Sequence, residues 1–352
     1  MKKKIVVLGG GTGMSHLLSG LKDFPVQISA IITVADNGKS TGKLREEFLT
    51  PAVGDIRKVL TNLSPLPDEV KSVMEYRFTT YSDLNGHPIG NLILTALLNQ
   101  KHDLKKSIDC LSKLLDVKHQ VLPLSEDYLT LMADTIDGET ISGQAQIMKS
   151  YKKFKKIYYK ETPHVRRDVL QAIHEADLIV LSMGSLYTSI IPHLICKEVI
   201  KAIDKSSAPI LYICNLMNQP GETDDNRVSD YLNTLNGYLG KRKINAVIAS
   251  NTPISESMVA KYEKEFKEQV EIDQENIEKL NVELLSSDLV TLEDGTTQDG
   301  FIIYSLGNFI SDQNADNTRT SIVLDLQITK HTDESVTIDD VKIAKNYLSE
   351  IE

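Results

Sequence analysis

Directly after a short apolar run, Ile5-Val6-Val7-Leu8, the chain carries Gly9-Gly10-Gly11-Thr12-Gly13. Apolar residues then recur at helical spacing, at Met14, Leu17, Leu18 and Leu21. A buried strand that turns on glycines into a helix is the opening half of a βαβ unit. Glycines at such a turn let the backbone come close to a ligand, and the helix start offers N–H groups without intrahelical partners to a phosphate. The dinucleotide pattern G-x-G-x-x-G is met only in part, because His16 stands where the third glycine belongs.

The same texture recurs downstream. Ile28 to Val34, Leu178 to Leu181, Ile210 to Cys214 and Ala246 to Ala249 are further continuous apolar runs, as strands covered on both faces require. The predicted fold is α/β: a Rossmann-like, mainly parallel sheet flanked by helices, with a helix-rich insertion. The organisation expected is one domain over 1–295, with 51–164 as an insertion or subdomain, and a C-terminal appendage over 296–352. The middle section reads as helical from Gly54 to Asp116 and as short strands and turns from Gln120 to Lys160.

In such a sheet the loops at the carboxyl ends of the strands converge on one crevice. Asp36 follows the second run, 23 residues after Gly13, where a dinucleotide fold places its ribose-binding acid. Its loop, Asp36-Asn37-Gly38-Lys39-Ser40-Thr41-Gly42, contains the letters of a P-loop ending. The required earlier glycine is absent, with Thr33 in its place, so the P-loop reading fails. A polar loop of this kind suits a phosphorylated ligand or a Mg²⁺-phosphate pair, with Asp36 as the candidate metal carboxylate. Gly184-Ser185-Leu186-Tyr187-Thr188-Ser189 and Asn215 with Gln219-Pro220-Gly221-Glu222-Thr223 end two more strands, Thr223 being positioned to cap a helix. Gly54-Asp55-Ile56-Arg57 and Gly86-His87-Pro88-Ile89-Gly90-Asn91 open helical stretches. Arg57 could clamp a phosphate and His87 could act as acid or base.

Composition narrows the function classes. The chain has 352 residues, with 49 acidic against 39 basic, a net charge of −10. This argues against a nucleic-acid surface. The run Lys152 to Lys156 reads as a solvated face. The three cysteines, Cys110, Cys196 and Cys214, form no CxxC pair, and the eight histidines show no metal-ligand grouping. No stretch reaches the roughly 20 apolar residues of a membrane span. A cytoplasmic, soluble protein is expected.

Taken in order, these motifs resemble the CofD-like superfamily and, within it, the bacterial gluconeogenesis factor group (YvcK-type, UPF0052). The likeness runs from residue 1 to about 290 and rests most on Gly184 to Pro192 and Gln219 to Thr223. It implies a Rossmann-like core, a homodimer, regulatory protein partners and a nucleotide ligand. The nucleotide would be held by Gly9, Gly10, Gly11, Thr12, Gly13, Asp36, Asn37, Lys39, Ser40, Arg57, Asn91, Gly184, Ser185, Leu186, Tyr187, Asn215, Gln219, Glu222 and Thr223. The bacterial group is associated with UDP-sugars, cell shape and growth on gluconeogenic carbon. Its archaeal relatives transfer a phospholactyl group from a guanylyl-activated donor with Mg²⁺, which would make Asp36, Asp55 and His87 the catalytic candidates. The expected ligand is thus a UDP-sugar ahead of GDP or NAD(P), with Mg²⁺ the one metal considered. This chain departs from the family pattern at Asn37 and Lys39, where a second Asp and a second Gly are usual. It departs again at Ser182-Met183, where Gly-Pro is usual. Residues 302–313 resemble the closing segment of CapA-type polyglutamate-synthesis proteins instead.

Overall fold

A computed structural model of the chain describes residues 2–221, 223, 226–252, 259, 262–264, 266–287, and the strands 320–330 and 336–347. A seven-stranded sheet forms its centre, built from β1 (Lys3–Gly9), β2 (Val26–Ile32), β3 (Gln120–Pro123), β7 (Leu178–Leu181), β8 (Ile210–Ile213), β9 (Ala246–Ser250) and β10 (Glu283–Ser287). The spatial order is β10-β9-β8-β7-β1-β2-β3, and every pairing is parallel. β1 therefore has a parallel neighbour on each side, with Ile5 opposite Ile28 on one and Leu178 on the other. The sheet grows outward from β1 in both directions, which makes the gap beyond the ends of β1 and β7 its topological switch point.

The apolar runs became strands because helices cover both faces. Val6, Val7, Leu8, Ile28, Ile31, Leu178 and Ile179 are all buried, each side chain contributing on the order of 2 kcal/mol. Helix α1 (Gly11–Leu21) adds Met14, Leu17, Leu18 and Leu21 to the same core. Helices α2 (Lys39–Phe48), α3 (Gly54–Leu63), α4 (Asp68–Glu75), α5 (Ile89–Lys101) and α6 (Leu104–Leu114) lie between β2 and β3. The sheet's seventh strand, β10, was not expected, since Glu283-Leu284-Leu285-Ser286-Ser287 lacks a continuous apolar run; it is an edge strand and needs only its pairing with β9.

The middle section divides where the sequence suggested a single insertion. Gln120–Pro123 pairs with β2 as the opposite edge of the main sheet. Only the stretch after it stands apart, as a three-stranded antiparallel sheet of β4 (Leu131–Thr135), β5 (Thr140–Ser142) and β6 (Phe154–Tyr159) in the order β5-β4-β6. Within the C-terminal stretch, Thr320–Lys330 and Val336–Tyr347 pair as an antiparallel ribbon. The CapA-like residues 302–313 lie outside the described residues. No helix among the described residues is long and apolar enough to cross a membrane.

Two close approaches at glycines close the core at the switch point. A Cβ on Gly9 would sit 1.9 Å from Ser182 Oγ, and one on Gly13 would sit 2.7 Å from the Met183 carbonyl oxygen. The turn after β1 is therefore packed tightly on the turn after β7, Gly9 against the Ser182 side chain and Gly13 against the Met183 backbone. Gly9→Ala should destabilise the fold by about 1–3 kcal/mol in urea unfolding. Adding Ser182→Ala, which removes the nearest atom, should return part of that loss. Additive losses in the double variant would show that the two positions do not meet.

Candidate functional site

The loops at the strand ends assemble around two bare helix starts. Gly10 is the N-cap of α1 and Gly38 the N-cap of α2; neither helix has a side-chain cap or an acidic residue in its first turn. Their first N–H groups are thus left for another acceptor, and the helix dipoles make that acceptor an anion. Gly11 is held at φ +68°, a conformation that disfavours a side chain, and the space where its Cβ would stand is open to 4 Å. Thr12 is exposed beside it. Lys39, the first residue of α2, is also exposed and has φ +38°. The family pattern has a glycine there, and the left-handed backbone shows why; this chain accepts strain of order 1 kcal/mol to place an ammonium at that point.

Two carboxylates face this rim. Asp55, buried in the first turn of α3, points Oδ2 to 3.1 Å from where a Gly10 Cβ would stand. Asp36 Oδ2 lies 3.6 Å from the corresponding position on Gly54, the residue before Asp55. Asp36 accepts from the Gly38 N–H at 2.9 Å and from the Thr41 hydroxyl, and Lys58 stands 3.7 Å from Asp55. Burial first, and the neighbouring Asp55 second, push the Asp36 carboxyl up to about 6 despite those bonds. Among the described residues no group of three or more His, Cys, Asp or Glu could hold a metal. Two carboxylates nonetheless suffice for a largely hydrated Mg²⁺.

Other expected site residues act on the loops themselves. The Asn37 amide donates to Gln146 Oε1 at 2.9 Å, and its oxygen accepts from the Ala145 N–H at 2.9 Å. It thereby ties the Asp36 loop to the helix Gln144–Lys149 of the antiparallel lobe. Asn215 does the same for the loop after β7, accepting from Gly184 N and donating to Gly184 O, both at 2.9 Å. Leu186 is buried in a π-helical turn over Leu186–Ile190, a form frequent at functional sites. Ser185 is buried before it, and Tyr187 meets the Phe154 ring edge-on at 5.1 Å. Gln219 is half-buried, and Gly221 lies against the backbone of Tyr151 and Lys152. The antiparallel lobe consequently touches three of the strand-end loops. Glu222 is outside the described residues. The helix after that loop starts only at Val228 with Arg227 as its N-cap, so Thr223 does not cap it.

The remaining candidates form a buried chain beneath the Asp36 loop. Arg57 is 1% exposed; its Nε donates to Asn91 Oδ1 at 3.2 Å, and its Nη1 pairs with Glu75 of α4. Its guanidinium is spent inside the protein, where burial lowers its pKa to about 10. Asn91 donates to Ser40 Oγ at 3.1 Å, and Ser40 Oγ lies 2.8 Å from His87 Nδ1. Arg45, which the motif order suggests as a further cation for a phosphate, instead fastens the loop from below by donating to Ala35 O, Asp36 O and Leu129 O. Lys58 and Gln146 are the site neighbours that the motifs do not name. Of these only Lys58, three residues after Asp55 on a helix, left a signal in the sequence.

The profile of the 2-phospho-L-lactate transferase CofD family matches residues 5–290. The chain belongs to the CofD family. It is 42% identical over 275 residues to the gluconeogenesis factor of Halalkalibacterium halodurans, covering 78% of this chain and 85% of that protein. Against the Bacillus subtilis gluconeogenesis factor it is 40% identical over 275 residues, 78% of this chain and 87% of the other. A crystal structure of a UPF0052-family protein from Bacillus halodurans superposes with a TM-score of 0.80 at 40% identity, covering 84% of this chain and 94% of that one. This CofD-family chain thus shares its fold and most of its length with the bacterial gluconeogenesis factors.

The raised Asp36 carboxyl has a consequence for stability. The folded state holds that proton up to about pH 6, whereas an unfolded carboxyl releases it near 3.8. Stability from this group is present below 3.8 and is lost as pH rises through 6. Asp36→Asn should therefore stabilise the protein by about 1–3 kcal/mol at pH 7.5 and by clearly less at pH 4.5. Thermal unfolding of both proteins at both pH values measures this.

Proposed function

We propose that the chain binds a nucleoside diphosphate compound, of the UDP-sugar kind, across the switch-point crevice, and that it acts by binding rather than by turnover. The observation that carries this reading is the pair of glycine-capped helix starts, α1 and α2, that reach the crevice without caps or acids of their own. Lys39 and Lys58 add charge neutralisation at the rim. In this reading Asp36 accepts from ribose or sugar hydroxyls, and Ser185, Tyr187 and Gln219 contribute from the β7 and β8 loops. The gluconeogenesis factor names of the relatives support a role in carbon metabolism; that the role is regulatory and cytoplasmic is part of the proposal. Cell-shape control, a homodimer and protein partners belong to the same proposal.

A second reading is a CofD-type transferase moving a phospholactyl-type group from a nucleotide-activated donor. It is favoured by the convergence of Asp36 and Asp55, a carboxylate pair that a divalent cation would relieve. Asn37 speaks for the binding reading, because its amide is tied to Ala145 and Gln146 and, unlike a carboxylate, brings no negative charge to a metal.

Isothermal calorimetry with UDP-N-acetylglucosamine separates the two. The wild-type protein should bind without net loss of the sugar nucleotide over hours in Mg²⁺. Gly11→Val, which fills the open space at φ +68° with a branched side chain, should weaken binding at least tenfold with the circular dichroism spectrum unchanged. Unchanged affinity in that variant overturns the loop assignment. Release of UMP or UDP above a buffer control, abolished by Asp36→Ala and by a chelator, decides for the transferase.

A further inference from the structure

The buried chain beneath the Asp36 loop has a direction. The Arg57 Nε–H can only donate, so the Asn91 atom facing it at 3.2 Å is the oxygen, and the Asn91 amide is fixed with its NH₂ toward Ser40. Asn91 Nδ2 donates to Ser40 Oγ at 3.1 Å. Having accepted there, Ser40 has one hydrogen left to give, and His87 Nδ1 stands 2.8 Å away. Ser40 and His87 are both buried, at 7% and 6% exposure. Burial, with Lys43 next in effect, holds the imidazole pKa below its usual value, so the ring is neutral at pH 7 and accepts. Glu47, also on α2, and Arg77 and Asp83 on the stretch before His87 complete its charged surroundings.

Resting on the binding reading above and on Ser40 as one of its ligand contacts, as the motifs imply, we infer that His87 is a positioning residue: it holds the Ser40 hydroxyl hydrogen on Nδ1, so that toward a ligand Ser40 can act only as an acceptor. The oxygen keeps one lone pair, which is all the hydrogen-bonding capacity Ser40 has left. The ligand group that it selects is therefore a donor, a hydroxyl or an amide N–H, and not a phosphate oxygen. The phosphates fall to the backbone N–H groups at the starts of α1 and α2, two and one residues from Thr12 and Lys39 respectively at their nearest caps. Glu75 and Arg57 anchor this arrangement at the far end, which explains why an arginine is buried there although it contacts no solvent.

The inference is tested on two levels. Nitrogen-15 NMR of the wild-type protein, with His87 assigned by its absence from the His87→Gln spectrum, should show a neutral ring protonated at Nε2 at pH 7.5. A ring protonated at Nδ1, or an imidazolium, overturns it with no ligand involved. Calorimetry with UDP then reads the consequence. His87→Ala should weaken binding about tenfold, the scale of one lost buried hydrogen bond. His87→Asn, whose Oδ1 replaces Nδ1 as acceptor, should stay within about threefold of wild type. Equal losses in both variants, or none in His87→Ala, overturn the inference. Absence of UDP binding by the wild type would instead strike the binding reading, and the NMR result would then decide this one alone.

Discussion

β1 has a parallel neighbour on both sides, and the site follows from the geometry of that one strand. Because β2 and β7 are both hydrogen-bonded to it, the chain leaves the sheet centre in two opposite directions, and the loops after β1 and β7 are pulled apart above a crevice. The same loops are forced together at their bases, where Gly9 makes room for the Ser182 side chain and Gly13 for the Met183 backbone. A larger residue at either glycine would separate the turns and move the start of α1. The glycines are thus packing elements first, and only Gly11 leaves room that a ligand could use.

Above that base, two kinds of charge oppose each other. The helix starts at Gly10 and Gly38 favour an anion, whereas Asp36 and Asp55 repel one another across the same rim, and burial magnifies that repulsion. Under the proposed binding reading, a ligand that brings phosphate to the helices and either hydroxyls or a cation to the acids would relieve this opposition. Lys58 relieves Asp55 in part. The antiparallel lobe holds the loops in place through Asn37, the Phe154–Tyr187 contact and the approach of Gly221 to Tyr151 and Lys152. The three-stranded sheet therefore serves the site although it contributes nothing to the main sheet.

Two departures from the family pattern acquire physical accounts. Asn37 in place of a carboxylate gives the loop a group that donates and accepts at once, which is what Gln146 Oε1 and the Ala145 N–H require. Lys39 occupies a left-handed position at some cost in strain, and it brings a positive charge to the start of α2. The first trades metal-holding capacity for a mechanical tie; the second adds cationic character at the anion-facing rim.

The sequence by itself determined the layered α/β class, the five buried strands and the loops that carry chemistry. Continuous apolar runs can be satisfied only under helices, and a glycine turn between strand and helix has few uses. It also contained the family resemblance, through motifs whose order survives in the linear chain. What only the tertiary structure decided is which polar residues face the crevice and which hold it up. Arg57, Asn91 and Asn215 read as ligand contacts in the sequence because a polar residue in a loop looks the same whether its partner is a phosphate or a carbonyl. Their partners, Glu75, Ser40 and Gly184, lie 18, 51 and 31 positions away and meet them only once the sheet has formed. Strand β10 and the Asp36–Asp55 repulsion were hidden for the same reason: pairing at an edge and burial of a carboxylate are properties of neighbours in space, which no local pattern records.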